Sequence, residues 1–119
     1  MTSLTRRELI EFCQNEYNAV VDHPFKHYPD YVALRHPNGK WFGLVVNVPV
    51  RKLGLPGDGE LELVNLKVTP ELNSILQTQA RFLPAYHMSK EHWLSAVLAR
   101  FASVDELAGL IEGSYQATK

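Results

Sequence analysis

The stretch Tyr31-Val32-Ala33-Leu34-Arg35-His36-Pro37-Asn38-Gly39-Lys40-Trp41-Phe42-Gly43-Leu44-Val45-Val46-Asn47-Val48 decides the fold. Two runs rich in apolar residues, Tyr31 to Arg35 and Trp41 to Val48, flank the segment His36 to Lys40, where Asn38-Gly39 can supply the positive φ angles of a hairpin turn. An antiparallel pair of strands is expected. Strict alternation along the second strand puts Phe42, Leu44, Val46 and Val48 on one face, expected to lie under helices. Trp41, Val45 and Asn47 then share the other face, with Gly43 between them.

Downstream, Gly54, Pro56, Gly57 and Gly59 make Arg51 to Gly59 a wide loop before a third strand, Glu60 to Val68. In that strand Leu61 and Leu63 fall on one parity and Val64, Leu66 and Val68 on the other. A β-bulge near Val64 is expected to reconcile them, leaving Asn65 and Lys67 on the opposite, open face. Thr69-Pro70-Glu71 has the N-cap, first-turn proline and first-turn acid of a helix start, with Leu72, Ile75 and Leu76 as its buried stripe. Trp93 to Leu98 reads as a fourth strand. Ser103-x-x-Glu106 caps a last helix that buries Leu107, Leu110, Ile111 and Tyr115.

Upstream, Thr5-x-x-Glu8 forms a capping box, Leu4 and Leu9 a hydrophobic staple, and Leu9, Ile10, Cys13 and Tyr17 an apolar stripe on a helix ending near Tyr17 or Asn18. Val20 to Asp30 has no periodicity and is expected as an ordered loop rich in histidine and aromatics. The order helix, three strands, helix, strand, helix implies an α+β two-layer sandwich. Its antiparallel sheet has at least four strands, about three helices pack on one face, and the other face is at least partly open.

The chain has 119 residues, 45% hydrophobic and 21% charged, which suits one domain over 1–119 that folds without a partner. The single cysteine, Cys13, excludes an intramolecular disulfide and fits a reducing compartment. The N-terminus lacks the apolar core of a secretory signal, and no stretch approaches the ~18 apolar residues that span a bilayer. A cytoplasmic protein with no membrane partner is expected. The net charge of −1 gives the whole molecule no attraction to polyanions. Between Lys26 and Lys52, however, Lys26, Arg35, Lys40, Arg51 and Lys52 face only Asp30, so a local basic face is conceivable.

No catalytic constellation or cofactor motif is present. His23 and His27 are separated by Pro24 and cannot sit on one helical turn, and His87 and His92 have no cysteine or carboxylate at ligand spacing, so neither metal nor cofactor is expected. No serine or cysteine lies in a nucleophile motif, and the Gly54 to Gly59 loop lacks the Lys-Ser/Thr ending of a phosphate loop. The remaining candidates are Lys67, Arg81, His87, Lys90 and His92 beside Tyr86 and Trp93: cations that suit phosphate, and rings that stack on bases. On the plainer alternative, Tyr86 and Trp93 anchor the core and the basic side chains are merely solvated.

Asn65-Leu66-Lys67-Val68-Thr69-Pro70-Glu71-Leu72, then Tyr86-His87-Met88-Ser89-Lys90-Glu91-His92-Trp93 and the late Ser114-Tyr115, resemble the MmcQ/YjbR family of small bacterial proteins. The resemblance implies an α+β fold similar to that of secretion chaperones. It also implies DNA binding through a double wing, with the Asn38-Gly39 hairpin and the Arg51 to Gly59 loop as the wings. It carries no catalytic role. Lys67, His87, Lys90, His92 and Trp93 match the family's signature positions, and Arg51 and Lys52 adjoin the second wing. Three functions are expected in turn: contact with DNA; a protein-interaction or homodimerisation module using the sheet face that carries Trp41 and Val45; and a small-anion pocket around Lys67, His87, Lys90 and His92.

Overall fold

The computed structural model describes residues 3–119. The elements, in chain order, are α1 (Arg6–Tyr17), β1 (Val20–Asp22), β2 (Val32–Arg35), β3 (Trp41–Pro49), a 3-10 turn (Val50–Leu53) and β4 (Glu60–Lys67). After these come α2 (Pro70–Leu76), β5 (Phe82–Pro84), β6 (Trp93–Val97) and α3 (Ala108–Ala117). All strands pair antiparallel in one six-stranded sheet of order β1-β2-β3-β4-β6-β5. The α+β sandwich is present, with more strands than the expected four. β1 falls in the segment expected as a loop and β5 where no element was expected, because three-residue edge strands show no alternation to read.

α1 forms as its residues dictate. Thr5 Oγ1 accepts from the Glu8 amide at 3.2 Å, Glu8 Oε1 accepts from the Thr5 amide at 3.1 Å, and Asn18 in the left-handed region (φ 53°) ends the helix. Leu4, Leu9 and Cys13 are buried in the core it covers, and burial pushes the Cys13 thiol pKa up to about 12. The hairpin also forms, with only Gly39 (φ 92°) in the positive region and the Asn38 side chain accepting from the Lys40 amide.

The alternation along β3 is not the expected one. Leu34 pairs with Gly43 but Arg35 pairs with Trp41, so Phe42 is the extra residue of a β-bulge. The bulge turns Phe42 to the helix side with Val45, while Leu44, Val46 and Val48 face away from the helices. Gly43 fits the same place: a Cβ there would lie 3.1 Å from Leu34 Cδ1. The expected bulge near Val64 is absent, and β4 pairs with β3 in unbroken register from Leu66 to Glu60. The parity conflict in β4 has another cause, since both sheet faces are buried and both parities are apolar.

On the helix side, Leu9, Cys13, Leu107 and Ile111 pack on Val32, Leu34, Phe42, Val45, Val64 and Leu66. The opposite face is not open. Tyr31, Ala33, Leu44, Val46, Val48, Leu63 and Val97 form a second core there, covered by Phe25, Trp41, Leu53, Leu83, Tyr86 and Met88 from loops and edges. Val45 therefore cannot belong to an exposed interaction face.

Two helices depart from expectation. In α2, Leu72 and Ile75 are 36% and 63% exposed, whereas Asn73 is buried. This short helix is held by the Asn73 amide rather than by an apolar stripe. Before α3, Val104–Glu106 is a 3-10 turn, and Ser103 makes no side-chain cap. Glu106 is drawn instead to the Ala102 amide and to Arg81, 2.5 Å away.

Candidate binding groove

The signature run Tyr86 to Trp93 is a strap crossing the loop-covered face, held by polar groups from three elements. Asn65, fully buried on β4, donates to the Tyr86 carbonyl at 2.9 Å and accepts from the Ser95 hydroxyl, which itself accepts from the Tyr86 amide at 3.2 Å. Asn73 shares its amide hydrogens among the carbonyls of Lys90, Glu91 and Trp93 at 3.0 to 3.2 Å. Lys90 Nζ donates to the Ala85 carbonyl at 2.7 Å, closing the strap on itself. So constrained, the strap holds His87 at φ 61°, a conformation uncommon for a residue with a side chain.

Beneath the strap runs a groove of three adjoining hollows. A central one of about 360 Å³ is lined by Phe25, Tyr28, Tyr31, Trp41, Leu44, His87 and Met88. Tyr28 stacks on Tyr31 (centroids 4.7 Å apart, planes 16° apart), and Phe25 meets Tyr31 and Trp41 edge-on. Trp41 and Met88 also line a hollow of about 400 Å³ with Lys40, Lys67, Trp93, Ala117, Thr118 and Lys119. No carboxylate side chain lines it. Lys67 makes no ion pair among the described residues, while Lys40 Nζ lies 3.3 Å from the Lys119 carbonyl. On the other side, Tyr28 and Tyr31 border a hollow of about 260 Å³ in which Lys52 and His27 are matched by Asp30 and Glu60.

The residues singled out from sequence do not converge. Lys67, His87 and Lys52 border the groove. Arg51 lies in a separate hollow with Asp58. Lys67 ends β4, and Lys52 follows the Pro49–Glu60 pair at the other end of that eight-residue strand, so the two are about 23 Å apart at roughly 3.3 Å per residue. Lys90 is committed to Ala85. Arg81 is held by Glu106 and lies 4.4 Å over the Phe101 ring, away from the groove. His92 is exposed beside an apolar hollow between α2 and α3 that Lys67 also borders. The two turns expected as wings lie at opposite ends of nine-residue β3, a strand about 26 Å long at roughly 3.3 Å per residue. Phe25, Tyr28, Tyr31 and Lys119 line the groove without being singled out from sequence, and Lys40 is foreseen only as part of a local basic face. The signal for the aromatics was the aperiodic, aromatic-rich segment before β2.

Ser114 and Tyr115, the late signature pair, divide their roles. Ser114 Oγ donates to the Phe42 carbonyl at 2.5 Å and accepts from the Lys67 amide at 2.9 Å, joining α3 to the bulge and to the end of β4. Tyr115 stacks on Tyr17 and packs against His36, whose Nε2 lies 2.7 Å from Thr118 Oγ1. Burial, then Lys119 and Lys40, push the His36 pKa below its ordinary 6.5. The unfolded chain therefore takes up this proton first. The contribution of His36 to stability is complete above pH 6.5 and is lost as pH falls through the lowered folded value. Urea titrations of wild type between pH 7 and 5 should show this loss, and His36→Gln should flatten it; equal slopes would remove His36 as the cause.

The chain is thus a small α+β sandwich whose second sheet face is roofed by a polar-anchored strap over an aromatic groove. The chain belongs to the YjbR family, whose model matches residues 16–117. It is 44% identical over 117 residues to the "Uncharacterized protein YyaQ" of Bacillus subtilis (strain 168), covering 98% of this chain and 99% of that protein. The crystal structure of a Pseudomonas syringae protein, 38% identical, superimposes with a TM-score of 0.91 over 98% of this chain and 100% of that one. The Deinococcus radiodurans protein DR2400, at 20% identity and a TM-score of 0.71 over 97% of this chain and 78% of that one, shares the fold. No helix among the described residues is long and apolar enough to cross a membrane.

Proposed function

We propose that the protein is a binding domain for phosphate-bearing ligands, nucleic acid among them, and that Lys67 at the lysine-lined end of the groove makes the contact. The observation that carries this is the hollow bordered by Lys40, Lys67 and Lys119 and by no carboxylate side chain. Lys40 is already in contact with the Lys119 main-chain oxygen, whereas Lys67 makes no ion pair among the described residues and meets an anion with no carboxylate side chain competing. Binding fits this groove better than catalysis. The hydroxyl of Thr118 and the imidazole of His36 are in contact, but the hydroxyl donates its proton to the Ser114 carbonyl, which leaves its oxygen to accept from His36 Nε2. Contact with duplex DNA would use the Asn38-Gly39 turn, which adjoins Lys40, with the Arg51 to Gly59 loop at the other end of β3 as the second wing.

A labelled oligonucleotide titrated at several salt concentrations tests the reading. The logarithm of the affinity should fall linearly with log salt, and Lys67→Gln should weaken binding and reduce the slope by about 0.7 to 0.9. Absence of binding at low salt would sink the proposal. Protein interaction is the second reading, favoured by exposed Leu72 and Ile75 beside the apolar hollow lined by Gly109 and Gly113. Light scattering that shows a monomer at all concentrations would remove its homodimer form.

A further inference from the structure

We propose that the aromatic hollow is the subsite for a planar ring carried by the same ligand, so that the groove takes one nucleotide unit, base under the strap and phosphate at Lys67. This rests on the phosphate reading above. Several observations support it independently of charge. Tyr28 is stacked on Tyr31 yet remains 46% exposed, a large ring held rigid at the mouth of a hollow instead of being buried. The hollow, about 360 Å³, falls in the usual range of small-ligand sites and is walled mainly by rings. His87 is held there at φ 61°, an uncommon conformation for a residue with a side chain that the strap's anchors sustain. Trp41 and Met88 wall both hollows, so a ring in one adjoins an anion in the other.

Competing ligands fit less well. A cage of rings also attracts quaternary ammonium groups. Here, however, the Arg35 guanidinium already lies 5.3 Å from the Trp41 ring centroid, and Lys40 and Lys67 stand beside it, so a cationic ligand is repelled. A long single strand laid through the whole groove would bring phosphates against Asp30 and Glu60 at the far end. One nucleotide unit, free or at the end of a strand, avoids them.

Adenosine 5′-monophosphate, adenosine and inorganic phosphate, each titrated by NMR against the full chain with the Trp41 indole N–H as reporter, test the inference. The monophosphate should bind at least tenfold more tightly than either fragment. Tyr28→Ala, at an exposed position, should cost it about tenfold while leaving phosphate binding unchanged, as loss of one stacking partner does. Lys67→Gln should weaken the monophosphate and phosphate together. A monophosphate that binds no better than phosphate and ignores Tyr28→Ala overturns the inference while leaving the lysine reading intact. Adenosine binding as tightly as the monophosphate, insensitive to Lys67→Gln, overturns the inference through failure of the lysine reading. A 5′-phosphorylated tetranucleotide distinguishes the sources: affinity equal to the monophosphate assigns a strand end, and much weaker binding assigns the free nucleotide.

Discussion

Ser114→Ala should lower the unfolding free energy by about 3 kcal/mol, the sum expected for stranding two buried backbone groups at roughly 1 to 3 kcal/mol each. The hydroxyl of Ser114, fully buried, is the partner of both the Phe42 carbonyl and the Lys67 amide. Phe42 and Lys67 lie one step beyond the Gly43–Leu66 pair of the β3–β4 ladder, and the hydroxyl is inserted between the carbonyl of one and the amide of the other. Because a domain of this size is held by about 5 to 15 kcal/mol, the loss would be a large fraction of the total. Urea unfolding should show a lower midpoint with an unchanged slope. Gln116→Ala, on the exposed side of the same helix, should stay within about 0.5 kcal/mol. A Ser114→Ala midpoint equal to wild type would show that water or a local shift replaces the hydroxyl.

Asn65→Leu should cost about 2 to 4 kcal/mol and act first on the strap. The substitution keeps the branching and heavy-atom count of the side chain but removes the donor to the Tyr86 carbonyl and the acceptor for Ser95. Exchange of the 85–92 amides should accelerate before the rest of the sheet opens, since Asn73 holds only the other end of that segment and Lys90 ties the segment to itself rather than to the sheet. Asn65 and Ser95 belong to one network with the Tyr86 backbone. The double variant Asn65→Leu/Ser95→Ala should therefore cost clearly less than the two single losses added, with a coupling of about 1 kcal/mol. Strict additivity would mean that the two residues act independently. Loss of the strap should also abolish ring binding in the groove, because His87 and Met88 line it.

What could be read from sequence was local. The Thr5 to Glu8 capping box, the Asn38-Gly39 turn and the Thr69-Pro70 helix start depend on neighbours within four residues, and each forms. The strand parity beyond Gly43 could not be read, because the bulge at Phe42 depends on a hydroxyl 72 positions away. The burial of the second sheet face could not be read either, since its covering rings Phe25 and Tyr31 lie in and just after a segment with no period. Alternation tells which residues share a face, and it is silent on what covers that face.

The same division holds for the site. The signature run drew attention to the right segment, but Lys90, Asn73 and Asn65 proved to be its fastenings, and Arg81 and Arg51 lie elsewhere. Lys67 meets Lys40, Trp41 and Lys119 only because β4 pairs with β3 and α3 ends beside both. Sequence by itself determined the helix caps, the hairpin, the α+β class and the family signature, since short-range backbone chemistry and periodicity specify them. Only the tertiary structure decided where the strand faces turn, which polar residues are buried and which cations share a groove, because those depend on contacts whose partners are distant along the chain.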